Sequence, residues 1–162
     1  MTSLSLENYS DPKKIWIECF DDIEINDNSI LEFILTHPDF SRFASLLHLA
    51  KIENILNDTS TYKTIFIVPN EYFPNDFSPY IDIMTARSIV KSCIINNEVT
   101  FDTLKNYSKS VLQTSMHGYN LTICYNKDTD IITIVNNNSH VISPNPIKTT
   151  NGIIYIIDKI LP

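Results

Sequence analysis

The run Gly152-Ile153-Ile154-Tyr155-Ile156-Ile157 near the end of the chain constrains the fold more than any other stretch. Its residues after the glycine are β-branched or aromatic, and the run is too short for a helix of ordinary length, so it reads as a strand. Side chains alternate across a strand: 153, 155 and 157 face one way, 154 and 156 the other, and both sets are apolar. A strand with two apolar faces must be covered on both, which places it inside a sheet rather than at its edge. The preceding Asn151-Gly152 is the dipeptide most tolerant of positive φ and predicts a tight turn feeding the strand. Asp158 and Lys159 mark where the strand reaches solvent, and Pro162 ends the sequence.

The rest of the chain has to supply that cover. Residues 1–28 are polar and acidic around one apolar patch, Ile15, Trp16, Ile17 and Phe20, and read as an N-terminal extension that docks by that patch. From Asn28 to Asn57 the apolar residues fall at helical spacing: Ile30, Leu31, Ile34 and Leu35, then Phe40, Phe43, Leu46, Leu47 and Ala50. His37-Pro38 separates two helices, since proline suits a first helical turn. Ile52, Ile55 and Leu56 form a third short segment. Ile65 to Val68 is a short buried strand stopped by Pro69, and Asn70 is placed to cap a turn through Phe73. Asp82 is an N-cap for a helix carrying Ile83, Ala86, Ile89, Val90 and Cys93 on one stripe. From Val111 onward the period becomes two: Tyr119, Leu121, Ile123 and Tyr125 alternate with polar or small residues, as in a strand with one buried face. Asn126 to Asp130 turns into a strand over Ile131 to Val135, and another lies near His140 to Ile142. Helices first and an antiparallel sheet later make an α+β layout.

Composition narrows the function. A chain of 162 residues suits one domain with a single core. The formal charge of -7 and the lack of a clustered Lys/Arg surface argue against nucleic acid, whose phosphates need one. No run approaches the ~18 apolar residues of a membrane span. The first residues have neither the basic head nor the apolar stretch of a secretory leader, so an intracellular or virion-associated location is expected over secretion. Heavy use of Ile and Asn is the composition of an AT-rich genome, such as that of a large DNA virus or a protist. Cys19, Cys93 and Cys124 are odd in number and widely spaced, and read as reduced thiols rather than a disulfide framework or zinc set.

Four segments, in order and at consistent distances, resemble the fasciclin (FAS1) domain. The segment TTNGIIYIIDKILP is similar to the family's second conserved box at Thr150, Asn151, Gly152, Ile157, Asp158, Lys159, Leu161 and Pro162, with Tyr155 in the place of a central His. TIFIVPNEYF resembles the first box at Thr64, Phe66, Asn70, Glu71 and Phe73, with the proline displaced to Pro69. KSCIINNEVTFDTL is similar to a middle segment in which Asn97 replaces a glycine, a swap suited to a left-handed residue. LQTSMHGYNLTI resembles a strand entry with Gly118 as the family glycine. Both glycines of the chain thus fall at motif positions. The resemblance implies a wedge-shaped antiparallel β-sandwich flanked by N-terminal and central helices over 29–162, and adhesion or protein contact without catalysis.

The departures bear on which partner is met. Integrin-binding members of the family carry a Tyr-His pair in the middle segment and an acid shortly before the TNG turn. Here Ser92 and Cys93 stand at the first, and Pro146, within SPNPIK, at the second. An integrin contact generally needs a carboxylate to complete a divalent cation's shell, which proline cannot supply. The expected partner surface is therefore Ser92, Cys93, Pro144, Asn145, Pro146, Ile147 and Lys148, presented by a monomer to a protein or glycan by other means than the integrin motifs. A second reading is a binding protein for a small apolar ligand held between sheet and helices.

Chemistry-bearing residues have plain structural alternatives. Cys93, the one candidate nucleophile, lies on an apolar helical stripe, where a thiol behaves as a small hydrophobe. His37, His48, His117 and His140 lack short metal-ligand spacing, and no metal or cofactor is expected. Asn126 to Asp130 alternates oxygen ligands like the start of a calcium loop, but lacks its glycine and later glutamate and sits between strands. Asp158 is either a recognition acid or an acceptor for backbone amides. Asn8, Asn57, Asn106, Asn120 and Asn137 satisfy the glycosylation pattern, which matters only for a secreted chain.

Overall fold

In a computed structural model, residues 24–74, 81–106 and 109–161 are described, and the patch around Trp16 lies outside them, as does Pro162. Helix α1 (Ile30–Thr36) starts at Ser29, whose Oγ accepts the Glu32 amide at 3.1 Å, and it buries Ile30, Leu31, Ile34 and Leu35. It stops at His37, which is extended as a residue before proline should be. Pro38–Phe40 makes a 3-10 turn into α2 (Ser41–Ala50), which buries Phe43, Ala44, Leu46, Leu47 and Ala50. The short α3 (Glu53–Asn57) follows, then strand β1 (Lys63–Ile67), buried at every position, and a 3-10 turn at Asn70–Tyr72. In α4 (Ile83–Ser92), Asp82 Oδ1 accepts the Thr85 amide at 2.7 Å, the cap that its position predicts. Ala86, Val90 and Cys93 of its stripe are buried, whereas Ile83 at the start of the stripe is 40% exposed.

The remaining elements are β2 (Ile94–Ile95), α5 (Phe101–Asn106), β3 (Lys109–Gln113), β4 (Asn120–Asn126), β5 (Ile131–Ile134), β6 (Ser139–His140), β7 (Ile147–Thr149) and β8 (Gly152–Ile156). They form two four-stranded sheets, in the orders β2-β1-β8-β7 and β3-β4-β5-β6. Strand β8 is interior, as its two apolar faces require, with Ile153, Ile154 and Tyr155 buried. Its pairing with β1 is parallel, Lys63 opposite Gly152 through Ile67 opposite Ile156, whereas the other ladders are antiparallel. Parallel neighbours need a long crossover, and here the whole second sheet lies in the connection between them. In that sheet Leu121, Ile123, Ile132 and Ile134 turn inward, while Tyr119 and Tyr125 at the ends of the alternation are half-buried. The sheets meet where the chain leaves β8: Val141 bridges Ile157, and the Asp158 amide donates to the His140 carbonyl at 3.2 Å.

Two backbone expectations are corrected. Gly118 has a positive φ of 80°, but neither Asn151, Gly152 nor Asn97 does; Asn28, Lys51, Asp130 and Asn138 are the non-glycine residues there among those described. Gly152 is required for space instead: a Cβ on it would collide with the Lys63 carbonyl oxygen and lie 2.7 Å from Ile30 Cδ1. Asn97 contributes its carbonyl, which accepts the Thr64 hydroxyl at 2.7 Å.

Candidate functional site

The residues expected at a partner surface separate into two groups. Ser92 and Cys93 are buried, at 1% and 0% exposure, because the helical stripe that carries Cys93 continues through the end of α4. The Ser92 hydroxyl donates to the Ser88 carbonyl at 2.6 Å and the Cys93 thiol to that of Ile89 at 3.2 Å. Neither presents a side chain to a partner. Burial pushes the Cys93 thiol up to about 12, so it is protonated and shielded, the opposite of an activated nucleophile.

Pro144, Asn145, Pro146 and Ile147, by contrast, form one wall of an open groove of about 770 Å³. Lys148 is exposed but does not line it, consistent with its side chain pointing opposite to that of Ile147 in β7. The facing wall comes from the two 3-10 turns, with Asp39, Phe40, Pro69, Asn70 and Glu71, and Ile142, Ser143 and Ile156 complete the lining.

Each wall is fixed by hydrogen bonds. On one side Asn70 does not cap its own turn as its position suggests. Its Oδ1 accepts the Arg42 amide at 2.9 Å in the first turn of α2, and its Nδ2 donates to the Pro38 carbonyl at 3.0 Å and to Ser41 Oγ at 2.8 Å. One amide thus locks the two turns together, and the proline before it, having no N–H, has no competing donor to offer. On the other side Ile156 anchors the loop: its amide donates to Ser143 Oγ at 3.2 Å, and its carbonyl accepts the Ile142 amide at 2.8 Å. Three of the lining residues, Pro69, Pro144 and Pro146, lack a backbone donor altogether.

The family-motif residues build the frame behind this groove. Thr64 accepts the Val99 amide at 2.8 Å through its hydroxyl. Phe66 stacks on Tyr155 with ring centroids 5.5 Å apart, and the Tyr155 hydroxyl donates to the Val99 carbonyl at 2.6 Å. Burial raises the Tyr155 hydroxyl above the ordinary phenol range. Arg42 lies over the ring of Phe73, 5.2 Å from its centroid. Asp158 behaves as an acceptor for a neighbouring amide: its Oδ1 takes the His140 N–H at 2.7 Å, and its Oδ2 lies 3.0 Å from His140 Nδ1. Asn151, which is fully buried, joins α1, α3 and β8 through its side chain.

Other candidates have structural uses. Asn126 Oδ1 accepts the Asp128 amide at 2.9 Å inside the β4–β5 turn. Asp130 Oδ1 is held by the Tyr125 hydroxyl at 2.6 Å and lies 3.2 Å from Lys105 Nζ, which leaves that oxygen committed. Among the described residues no group of three His, Cys, Asp or Glu side chains is placed to hold a metal ion. No helix among them is long and apolar enough to cross a membrane. The groove residues that sequence reasoning missed are Asp39, Phe40, Glu71, Ile142, Ser143 and Ile156. They come from separate segments, and their common signal is a cluster of proline-bounded turns.

A solved FAS1 domain pair from the insect cell adhesion molecule fasciclin I superposes with a TM-score of 0.67 at 20% identity, over 84% of this chain and 51% of that one. The present chain therefore spans about half of that structure, and the likeness establishes the α+β fold. No curated protein matches the chain by sequence. The family model of the Fasciclin domain matches residues 38–162, a stretch that holds both conserved boxes and both walls of the groove. The chain belongs to the fasciclin domain family.

Proposed function

We propose that this domain is a non-enzymatic interaction module that receives a protein or glycan partner in the groove between the 3-10 turns and the Ile142–Ile147 loop. The observation that carries this reading is the groove itself, about 770 Å³ and walled on one side by the loop that holds Pro146, where the family resemblance places an acid. The size is that of a built recognition cleft. Its floor is apolar at Phe40, Ile147 and Ile156, and both walls are pinned by hydrogen bonds, so little ordering cost accompanies binding. Pro146 itself offers no carboxylate to a shared divalent cation, so the contact proposed here is not the family's integrin-type one.

The alternative of an apolar ligand between sheet and helices has less support. Phe43, Leu47, Phe66 and Tyr155 belong to one continuous buried cluster in that space. Immobilised domain and its Ile142→Lys variant, presented in parallel to an extract of the native host or particle, separate the readings. Ile142 is 41% exposed, so the change is compatible with folding. A saturable partner held by the native domain and lost by the variant supports the groove. Equal retention by both moves the site elsewhere, and a stoichiometric small mass under gentle mass spectrometry favours the ligand reading.

A further inference from the structure

We propose that the occupant of the groove is a cationic, extended peptide segment of a partner protein, one that places an apolar side chain on the groove floor and Lys or Arg against its rim. This rests on the interaction-module reading and adds the chemistry of the partner.

The lining contains two carboxylates, Asp39 and Glu71, and no Lys, Arg or His. Both acids are exposed, and neither has a hydrogen-bond or ion-pair partner among the described residues. The nearest cation in sequence, Arg42, is turned away: its guanidinium lies over the Phe73 ring at 5.2 Å and donates to the Pro74 carbonyl at 3.5 Å. The rim thus carries uncompensated negative charge within a molecule whose formal charge is already -7. Like charges set around a cleft with apolar walls raise the local concentration of an oppositely charged partner and its association rate.

Hydrogen-bond capacity points the same way. Pro69, Pro144 and Pro146 remove three backbone donors from the lining, and the Asn70 amide is fully engaged with Pro38, Ser41 and Arg42. The two carboxylates and the missing proline donors tilt the lining toward acceptors, with Asn145 and Ser143 able to donate as well as accept, and that balance favours a donor-rich visitor such as an ammonium or guanidinium group. An acidic glycan would meet repulsion from Asp39 and Glu71. A neutral sugar would lack the exposed aromatic face on which sugar rings pack, because Phe40 is only 5% exposed.

The test uses the full chain, labelled with nitrogen-15, and three fluorescein-tagged octapeptides that share a central Leu-Ile pair and differ in their flanks: lysine, serine or glutamate. The lysine peptide is expected to shift the amides of Asn70, Glu71, Ile142 and Asn145, and to bind at least tenfold tighter than the serine peptide at low salt. That preference should collapse in Asp39→Asn/Glu71→Gln, which removes the charge of two exposed side chains with little effect on folding. Equal binding of all three peptides at these amides overturns the charge assignment while leaving the groove as the interaction site. Preference for the glutamate peptide, or binding of a neutral oligosaccharide at the same amides with no peptide binding, overturns the peptide proposal. If no probe moves these amides, while a partner captured from extract is held equally by the native domain and Ile142→Lys, both the proposal and the groove reading fall.

Discussion

Asn151 Oδ1 accepts the backbone N–H of Ile30 at 2.9 Å, across 121 residues of sequence. The same side chain donates to the carbonyls of Leu56 and Asp58, each at 2.9 Å, so one amide satisfies an orphan donor at the start of α1 and acceptors at the end of α3. Asn151→Ala leaves these buried groups without partners, and the expected loss is about 3–5 kcal/mol. Urea denaturation measures it; a loss under about 1 kcal/mol would mean that water replaces the amide at little cost.

Gly152 and Gly118 are predicted to resist substitution for different reasons. Gly118 sits at φ 80° with open space where a Cβ would go, so Gly118→Ala should cost about 1–2 kcal/mol from backbone strain alone. Gly152→Ala forces a methyl into the Lys63 carbonyl between two paired strands and against Ile30 Cδ1. The expected cost is about 3 kcal/mol or more, or failure to fold. Thermal melts of the two variants side by side decide the matter, and a Gly152→Ala protein more stable than Gly118→Ala contradicts the steric account.

These two residues show where sequence reasoning reached and where it stopped. The apolar faces of β8 declare an interior strand, because alternation is a local property. Its parallel pairing with β1 is not visible, since register is settled by partners far away in the chain. Asn70 is similar: its position suggests a local cap, yet its side chain is spent on Arg42, Ser41 and Pro38, roughly thirty residues upstream and beyond any local pattern. At Ser92 and Cys93 two signals disagreed, family position pointing to a contact surface and helical periodicity to burial, and the packing of α4 decided for burial. The loop at Pro144 to Ile147 was legible through its place before the TNG turn. Asp39, Phe40 and Glu71 were not, because the groove is assembled from turns that only the folded core brings together.

Tyr155 stands where the family resemblance places a histidine, and its hydroxyl has found a partner that imidazole geometry does not dictate, the Val99 carbonyl at 2.6 Å. Tyr155→Phe keeps the ring stack on Phe66 and removes that bond, for an expected loss of about 1–3 kcal/mol. Tyr155→Ala should cost more, about 3–5 kcal/mol, through the cavity left in the core. Chemical denaturation of both gives the order. If the Phe variant is as destabilised as the Ala variant, the hydroxyl contributes more than the ring and the present account of this position is wrong.

Pro146, where the family resemblance places an acid, predicts that cells plated on the pure domain do not attach in a cation-dependent manner. Addition of a chelator should leave whatever attachment occurs unchanged. Pro146→Asp is the informative control, because it restores a carboxylate on an exposed loop. Chelator-sensitive attachment by the unmodified domain would show that another carboxylate, such as Asp39 or Glu71 on the facing wall, completes the metal shell.

Cys93 gives the domain a predictable weakness in alkali. Its thiol is held at about 12 in the folded state against 9.0 for an ordinary cysteine, because burial disfavours the thiolate. The sign follows from proton binding: above pH 9 the unfolded chain releases this proton while the folded one keeps it, so stability falls as pH rises. The contribution is therefore fully present below pH 9 and is lost progressively toward pH 12, with a slope of at most about 1.4 kcal/mol per pH unit. Tyr119 and Tyr155, also raised by burial, add to the decline at higher pH but remain in Cys93→Ala. Urea denaturation of both proteins at pH 8, 9, 10 and 10.5 should show Cys93→Ala less stable at pH 8 and the gap narrowing above pH 9. Parallel curves would mean that the thiol ionises normally, and modification of Cys93 by a thiol reagent in the native state, located by peptide mass mapping, would independently contradict its burial.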